Sequence, residues 1–359
     1  MASGDLPVAQ GEIIEARSVN QLWAAGSWSK NYLSGGDAYS MLMFSATNWQ
    51  HANKESSDGG STWTSGGPGS SYLGVICEAD KTKAVAYTAA GAVKITTDSG
   101  STWTAASAAP GNLSYPIGVA FRTAGMCIMW GAASSGKGAW YSTDGGDNWT
   151  QMTDATLTAT IEAMDFIDAN DGIATDSSQN ILWTSTGVAG WADTTHNTVG
   201  VLGQNIRLIN SGASLTDYDA IIICRDNSGG SEVCGEAYSY DGSGAPTERF
   251  PNTIADGAFS AQSQILQTDD GNHYYAVSLV GSRGHIKRFL YRSKDSGITW
   301  DTRLLPVSGE DLNSSRPAWI NNSTVTYGRS YYSNVIAQFE NKLLIVGQTV
   351  LEVDESYID

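Results

Sequence analysis

The chain has 359 residues, 20 Lys and Arg against 37 Asp and Glu, a net charge of −17 and a pI near 4.5. Phosphate contacts need Lys or Arg, so this balance argues against nucleic acid as a partner, and an anionic membrane surface would repel the chain. Apolar content of 41% supports a large core, while 40 Gly and only 16% charged residues describe a loop-rich sheet protein rather than a disordered one.

At the N-terminus, Met1-Ala-Ser-Gly-Asp-Leu-Pro-Val8 has neither a basic region nor an apolar stretch, so no signal peptide is expected. Residues 1–11 read as an extended arm, and Glu12-Ile-Ile-Glu-Ala16 as a strand. No apolar run approaches the roughly 18 residues of a membrane span, so membrane insertion is not expected. The run from Trp23 to Tyr32 is rich in Gly and Ser and too irregular for a strand centre. Its rings, Trp23, Trp28 and Tyr32, form the candidate binding surface, because planar aromatics stack on sugars and anchor protein interfaces. Core packing is the expected role of most other aromatics, among them Trp49, Tyr39, Tyr72, Tyr327, Tyr331 and Tyr332.

From Ser56 onward the chain repeats itself. Ser56-Ser-Asp-Gly-Gly-Ser-Thr-Trp63, Thr96-Thr-Asp-Ser-Gly-Ser-Thr-Trp103, Ser142-Thr-Asp-Gly-Gly-Asp-Asn-Trp149 and Ser293-Lys-Asp-Ser-Gly-Ile-Thr-Trp300 align without gaps. Two decayed copies lie between: Thr184-Ser-Thr-Gly-Val-Ala-Gly-Trp191 lacks the Asp, and Ser239-Tyr-Asp-Gly-Ser-Gly244 lacks the Trp. The third positions are 58, 98, 144, 186, 241 and 295, a period of 40 to 55 residues. Such a pattern suits a tight turn between antiparallel strands. Asp58, Asp98, Asp144 and Asp295 accept bonds from turn N–H groups, the Gly supplies a positive φ, and the Ser or Thr hydroxyl adds a local bond. Trp63, Trp103, Trp149 and Trp300 then pack beneath their turns. This is a structural fastener, and nothing in it requires a substrate.

Strand patterns surround each copy, for example Leu73–Cys77, Ala84–Thr88, Ile117–Phe121, Met126–Trp130, Ile161–Ile167 and Gly172–Thr175, and no sustained helical period appears. After Trp319 a further unit without a turn motif reads as Thr324–Tyr327, Asn334–Phe339, Lys342–Val346 and Thr349–Val353. A four-stranded unit of this length cannot bury both faces alone, so neighbours must stack radially. The expected fold is therefore all-β: one β-propeller over residues 12–359 with seven blades, six being the alternative. Residues 12–16 would supply an outer strand that closes the ring.

These motifs resemble the Asp boxes, or BNR repeats, of sialidases, family 74 xyloglucanases, sortilin-type receptors and photosystem II assembly propellers. The resemblance implies the fold; the families differ in function. A sialidase would require an arginine triad, yet no Arg lies between Arg17 and Arg122. Other glycosidases need two carboxylates across the substrate. Asp165, Asp168, Asp171, Asp217 and Asp219 are the candidates, but Asp168-Ala-Asn-Asp-Gly172 reads as an ordinary turn. His51, His196, His273 and His285 sit in no nucleophile signature. Cys77, Cys127, Cys224 and Cys234 lack metal-ligand spacing. Cys224 and Cys234 flank Gly229-Gly230, so a hairpin disulfide and buried free thiols are both open. Arg283, His285, Lys287, Arg288 and Arg292 could form a basic patch; a solvated strand face is the expected reading.

No catalytic residue, metal or cofactor is expected. The leading expectation is a non-catalytic binding or assembly module, a phage or viral virion protein of tail, spike or capsid type, or an extracellular one. Its partners would be a host glycan or protein subunits of a larger assembly. The alternative is a secreted glycoside hydrolase or polysaccharide lyase.

Overall fold

Short runs of small and β-branched apolar residues, broken by polar turns, favour short antiparallel strands. The computed structural model describes residues 31–32, then 42–305 and 336–354 apart from short stretches. They hold 29 strands and one short 3-10 turn at Leu215–Asp217. β1 is Asn31–Tyr32. Sheet 1 comprises β2–β5 (Leu42–Met43, Trp49–His51, Lys54–Ser56, Thr64–Ser65), and sheet 2 comprises β6–β9 (Leu73–Ile76, Ala84–Tyr87, Val93–Thr96, Thr104–Ala105). Sheet 3 is β10–β13 (Leu113–Phe121, Cys127–Ala133, Ala139–Ser142, Thr150–Gln151). Sheet 4 is β14–β17 (Ile161–Phe166, Gly172–Asp176, Asn180–Thr184, Ala192–Asn197). Sheet 5 is β18–β21 (Val201–Asn210, Asp219–Asp226, Val233–Tyr240, Thr247–Phe250). Sheet 6 is β22–β26 (Ser260–Gln262, Leu266–Gln267, His273–Val280, Ile286–Ser293, Asp301–Leu305), where β22 and β23 both pair with β24. Sheet 7 holds β27–β29 (Ile336–Phe339, Lys342–Val346, Thr349–Asp354) and β1.

Seven sheets are thus present among the described residues. Each of the first five is a simple antiparallel meander in chain order. Sheet 7 differs, because its outermost strand is β1, paired through Asn31↔Val350 and Tyr32↔Thr349. The N-terminal strand that joins the last sheet is therefore Asn31–Tyr32. Residues 1–11, Glu12–Ala16 and Thr324–Tyr327 lie outside the described residues. Sheet 7 has no turn between its third and fourth strands, since they come from opposite ends of the chain. An Asp box there would have nothing to fasten.

The apolar clusters lie between sheets, not within them. Val85, Tyr87 and Val93 of sheet 2 pack with Val119, Met129 and Trp140 of sheet 3. Ile128 and Trp130 of sheet 3 meet Met164, Phe166 and Leu182 of sheet 4. Ile173 and Ile181 of sheet 4 meet Leu208 and Ile222 of sheet 5. Consecutive Ile221, Ile222 and Ile223 on β19 are all fully buried, because side chains alternate across a sheet and both faces are covered. Ile222 faces sheet 4, and Ile221 and Ile223 face Tyr291 of sheet 6. Neighbouring sheets also approach through their first strands, as β10 does β6 and β14, and β14 does β18. Sheets stacked face to face in chain order, joined most closely along one edge, make a β-propeller.

Every Asp box, decayed or not, occupies the turn between third and fourth strands of its sheet, in sheets 1 to 6. Its Gly does more than bend the chain. Gly146 has φ +100°, and a Cβ there would meet Val85 Cγ2 on sheet 2 at 2.6 Å. A Cβ on Gly100 would strike Gln50 of sheet 1 at 2.5 Å, and one on Gly297 would strike Ile221 of sheet 5 at 2.5 Å. The same position in three sheets therefore touches the second strand of the preceding sheet. Gly146→Ala should cost about 2–4 kcal/mol, from left-handed strain together with overpacking against Val85. Gly111→Ala, with nothing within 4 Å, should be nearly neutral. Urea unfolding of both variants checks the contrast.

Candidate functional site

The four full boxes share one hydrogen-bond pattern. In the third, Ser142 Oγ donates to Asp144 Oδ1 at 2.7 Å and accepts from Gly146 N at 2.9 Å. Asp144 Oδ1 accepts from Asn148 N at 3.0 Å, and Oδ2 accepts from Asn148 Nδ2 at 2.8 Å. Asp98 is held by Thr96 and Thr102, Asp295 by Ser293 and Thr299, and Asp58 by Ser56 and Thr62 in the same way. Burial opposes ionisation of Asp144, but bonds from Asn148, Ser142 and Asp147 outweigh it and hold the carboxyl down at about 2. The position after the Asp is left-handed too, with φ 58° at Ser99 and 56° at Ser296. The carboxylate and hydroxyl bonds hold these residues in a conformation that L-residues disfavour.

The tryptophans face the gap between sheets. Trp149 is 6% exposed, donates to Gly146 O at 2.7 Å and packs on Val85 and Tyr87 of the sheet before it. Trp103 reaches back further: its Nε1 donates to Gln50 Oε1 of sheet 1 at 2.9 Å, while Gln50 Nε2 donates to Gly100 O. Trp300 donates to Gly297 O and packs on the cluster of Ile221 and Ile223, and Trp63 is half-buried. The box fastens sheet to sheet as well as strand to strand, a role the turn chemistry alone did not reveal. Where the Asp is lost, another supplies the bond. Asp154 Oδ2 accepts from Trp191 N at 3.0 Å, and Thr156 Oγ1 donates to Trp191 O at 2.6 Å. Trp191 remains buried, edge-on to Phe166.

Four of the five candidate catalytic carboxylates are engaged in the same kind of work. Asp168 Oδ1 accepts from Asn170 N and Asp171 N, which makes 168–172 a turn. Asp171 Oδ2 accepts from Ser211 Oγ at 2.9 Å, tying sheet 4 to the β18–β19 loop of sheet 5. The Tyr218 hydroxyl lies 2.6 Å from Thr184 O and 3.1 Å from Asp171 Oδ1, and burial pushes that phenol well above its usual range. Asp217 caps its own turn through Ser214 N and Oγ. Asp165 Oδ2 accepts from Leu208 N of sheet 5 at 2.8 Å. Asp219 begins β19, paired with Asn210.

Among the other sequence candidates, Trp23 and Trp28 lie outside the described residues. Tyr32 falls within β1, so this end of the irregular run is a strand after all. Trp49 is buried and donates to Ser45 O. Of the basic residues near 290, Arg292 is 4% exposed and pairs with Asp301 at 3.0 Å, so a solvated strand face does not extend to it. Leu290 and Tyr291 beside it are equally buried, because β25 lies between other strands. Cys224 is a buried free thiol; the register sets it opposite Glu236 and Cys234 opposite Arg225. Among the described residues no group of three His, Cys, Asp or Glu is placed to hold a metal, and no helix is long and apolar enough to cross a membrane.

One polar group does span several sheets along their first strands. Arg207 on β18 donates from Nη2 to Gln267 Oε1 on β23 at 2.9 Å, and its Nη1 lies 4.0 Å from Asp165 Oδ2 on β14. Inner edges of sheets 4, 5 and 6 are thus bridged by one guanidinium whose side chain is 30% exposed. Gln267 is exposed and stands opposite His273 in the β23–β24 register, so their side chains share a face. His273 is buried, and burial followed by the charge of Arg207 pushes it down from 6.5 to about 4. Sequence reasoning singled out Asp165 but passed over Arg207, Gln267 and the setting of His273. The available signal was a charge inside an alternating strand, Asn205-Ile-Arg-Leu208.

Two outcomes follow from these contacts. Trp149→Ala should cost about 3–5 kcal/mol by opening a cavity between sheets, and Asp144→Ala a smaller amount, with partner affinity of the folded fraction unchanged in both. Unfolding curves paired with a binding assay check this. For His273 the folded protein holds the ring neutral while the unfolded chain protonates at 6.5. Stability should therefore fall as pH drops from 6.5 to about 4 and level off below that for this group. Urea midpoints across this window should lose that slope in His273→Gln.

The profile of the Sortilin-Vps10 family (sortilin, neurotensin receptor 3) matches residues 54–196. No curated protein matches the chain. Among solved structures, YCF48 bound to D1 peptide superposes with a TM-score of 0.56 at 18% identity, covering 92% of this chain and 97% of that one. YCF48 from Cyanidioschyzon merolae gives 0.54 at 17%, covering 92% and 100%. A GH74 xyloglucanase from Xanthomonas campestris gives 0.56 at 13%, covering 90% of this chain but 52% of its own. At such identities the likeness speaks for fold alone. Motif, strand order and neighbours agree: the chain is a β-propeller of the Asp-box superfamily.

Proposed function

We propose that this propeller acts by holding a partner rather than by turning over a substrate. The observation that carries this reading is the commitment of four of the five candidate carboxylates. Asp165, Asp168, Asp171 and Asp217 each accept main-chain or hydroxyl bonds that shape a turn or join two sheets. A general acid or nucleophile must instead be free to exchange a proton or attack. The inner rim formed by Asp165, Arg207 and Gln267 offers charged and amide groups, in part exposed, at the junction of three sheets. Such a rim suits polar recognition of a protein segment or a glycan. The solved YCF48 structure with a D1 peptide supports a protein partner for this fold. A net charge of −17 favours a partner with basic character.

The finer part of the proposal places the module in a virion, as a tail, spike or capsid-associated protein, or on another extracellular assembly. Scarce Lys and Arg together with abundant Gly support that setting. A glycan array and a reducing-sugar release assay on the purified chain test the reading together. Retention of a glycan or protein partner without release of sugar is expected, with weaker retention by Arg207→Gln. Sugar release that disappears in Asp165→Asn or Asp219→Asn would overturn it.

A further inference from the structure

The face of β18 turned toward sheet 6 carries a second feature, which shares Arg207 and Gln267 with the partner rim. Asn205 stands opposite Ile223 and Arg207 opposite Ile221 on β19, and both isoleucines pack with Ile265 and Tyr291 of sheet 6. Ile206 and Leu208 point the other way, into the cluster with sheet 4. Asn205 and Arg207 therefore enter the interface between sheets 5 and 6. Gln267, bonded to Arg207, stands opposite His273, which brings the imidazole into that same interface.

Four nitrogens here are shielded from solvent and have no hydrogen-bond partner among the described residues: Asn205 Nδ2, Arg207 Nε, and His273 Nδ1 and Nε2. Asn205 is 7% exposed and His273 1%. Unmet buried donors are costly, and native proteins seldom leave several together. Amide N–H, guanidinium N–H and one imidazole N–H in one interface form a donor-rich lining, and Asp165, the carboxylate beside Arg207, is engaged by Leu208 N. Exposed Gln267 and partly exposed Arg207 lead from solvent toward it. Nitrogens this well covered admit no large ligand, so an occupant would be a small ion or a water. One guanidinium, with Asp165 4.0 Å away, matches a single negative charge better than two.

We propose that the interface between sheets 5 and 6 is a binding site for a small monovalent anion, held by Asn205, Arg207 and His273. Its chemical class is that of chloride or formate, and its effect is to lock two neighbouring sheets together.

Thermal unfolding of the full chain at pH 8, where His273 is neutral, tests this with sodium chloride against sodium gluconate at equal ionic strength. Chloride should raise the midpoint saturably, by about 3–6 °C, and formate should do the same. Asn205→Asp replaces a donor with a like charge and should abolish the response. Chloride-35 NMR on the unaltered protein reads binding without any variant: the line should broaden and narrow again on adding formate. Equal midpoints in chloride and gluconate, an unbroadened chloride line, or a response that persists in Asn205→Asp would overturn the proposal and leave these nitrogens to water.

Discussion

The fold depends on a carboxylate that holds two consecutive residues left-handed. In each full box the Asp gathers a hydroxyl and a main-chain N–H from its own turn, and in the second, third and sixth sheets the Ser or Thr hydroxyl takes the N–H of Gly100, Gly146 or Gly297. That geometry leaves no space for a side chain on the Gly, and the vacated surface is where the preceding sheet comes to rest. The Trp that follows fills the remaining gap. A local turn thus sets the distance between neighbouring sheets, which hydrophobic burial alone, being non-directional, could not do.

The decayed copies show which part of that device is indispensable. The box at 184–191 has lost its Asp, yet Trp191 stays buried because Asp154, from the connection after β13, accepts its main-chain N–H. Asp171 and Tyr218 tie the next pair of sheets by similar means. The common requirement is a polar bond across the gap, whichever residue supplies it. Carboxylates that look like catalytic candidates in a list of acids are, in place, members of this set.

Much of the architecture was legible because each box carries its own chemistry within eight residues. Turn, flanking strands and a buried indole could be read at Thr96–Trp103 or Ser142–Trp149 without reference to the rest of the chain. The inter-sheet role of Gly100 or Gly146 was not, since its partner, Gln50 or Val85, lies far back in the sequence on another strand. First strands were also hard to read. Bulges at Ile161/Ala163 and Gly203/Asn205, and the split of one strand into β22 and β23, disturb the alternation that would have exposed the Arg207 group. The short closing strand Asn31–Tyr32 bears no pattern of its own and is defined only by the edge of β29 that it meets.

That pairing has a consequence for how the molecule comes into being. Asn31 and Tyr32 must find Val350 and Thr349, so the last sheet gains its edge only after the chain as far as Val350 has left the ribosome. Until Asn31–Tyr32 docks, the new β29 presents open hydrogen-bonding groups to any other strand within reach. Joining partners so distant in sequence is slow, because the entropy of the intervening chain must be overcome first. The interval before that meeting is when a newly made chain is most exposed to pairing with its neighbours.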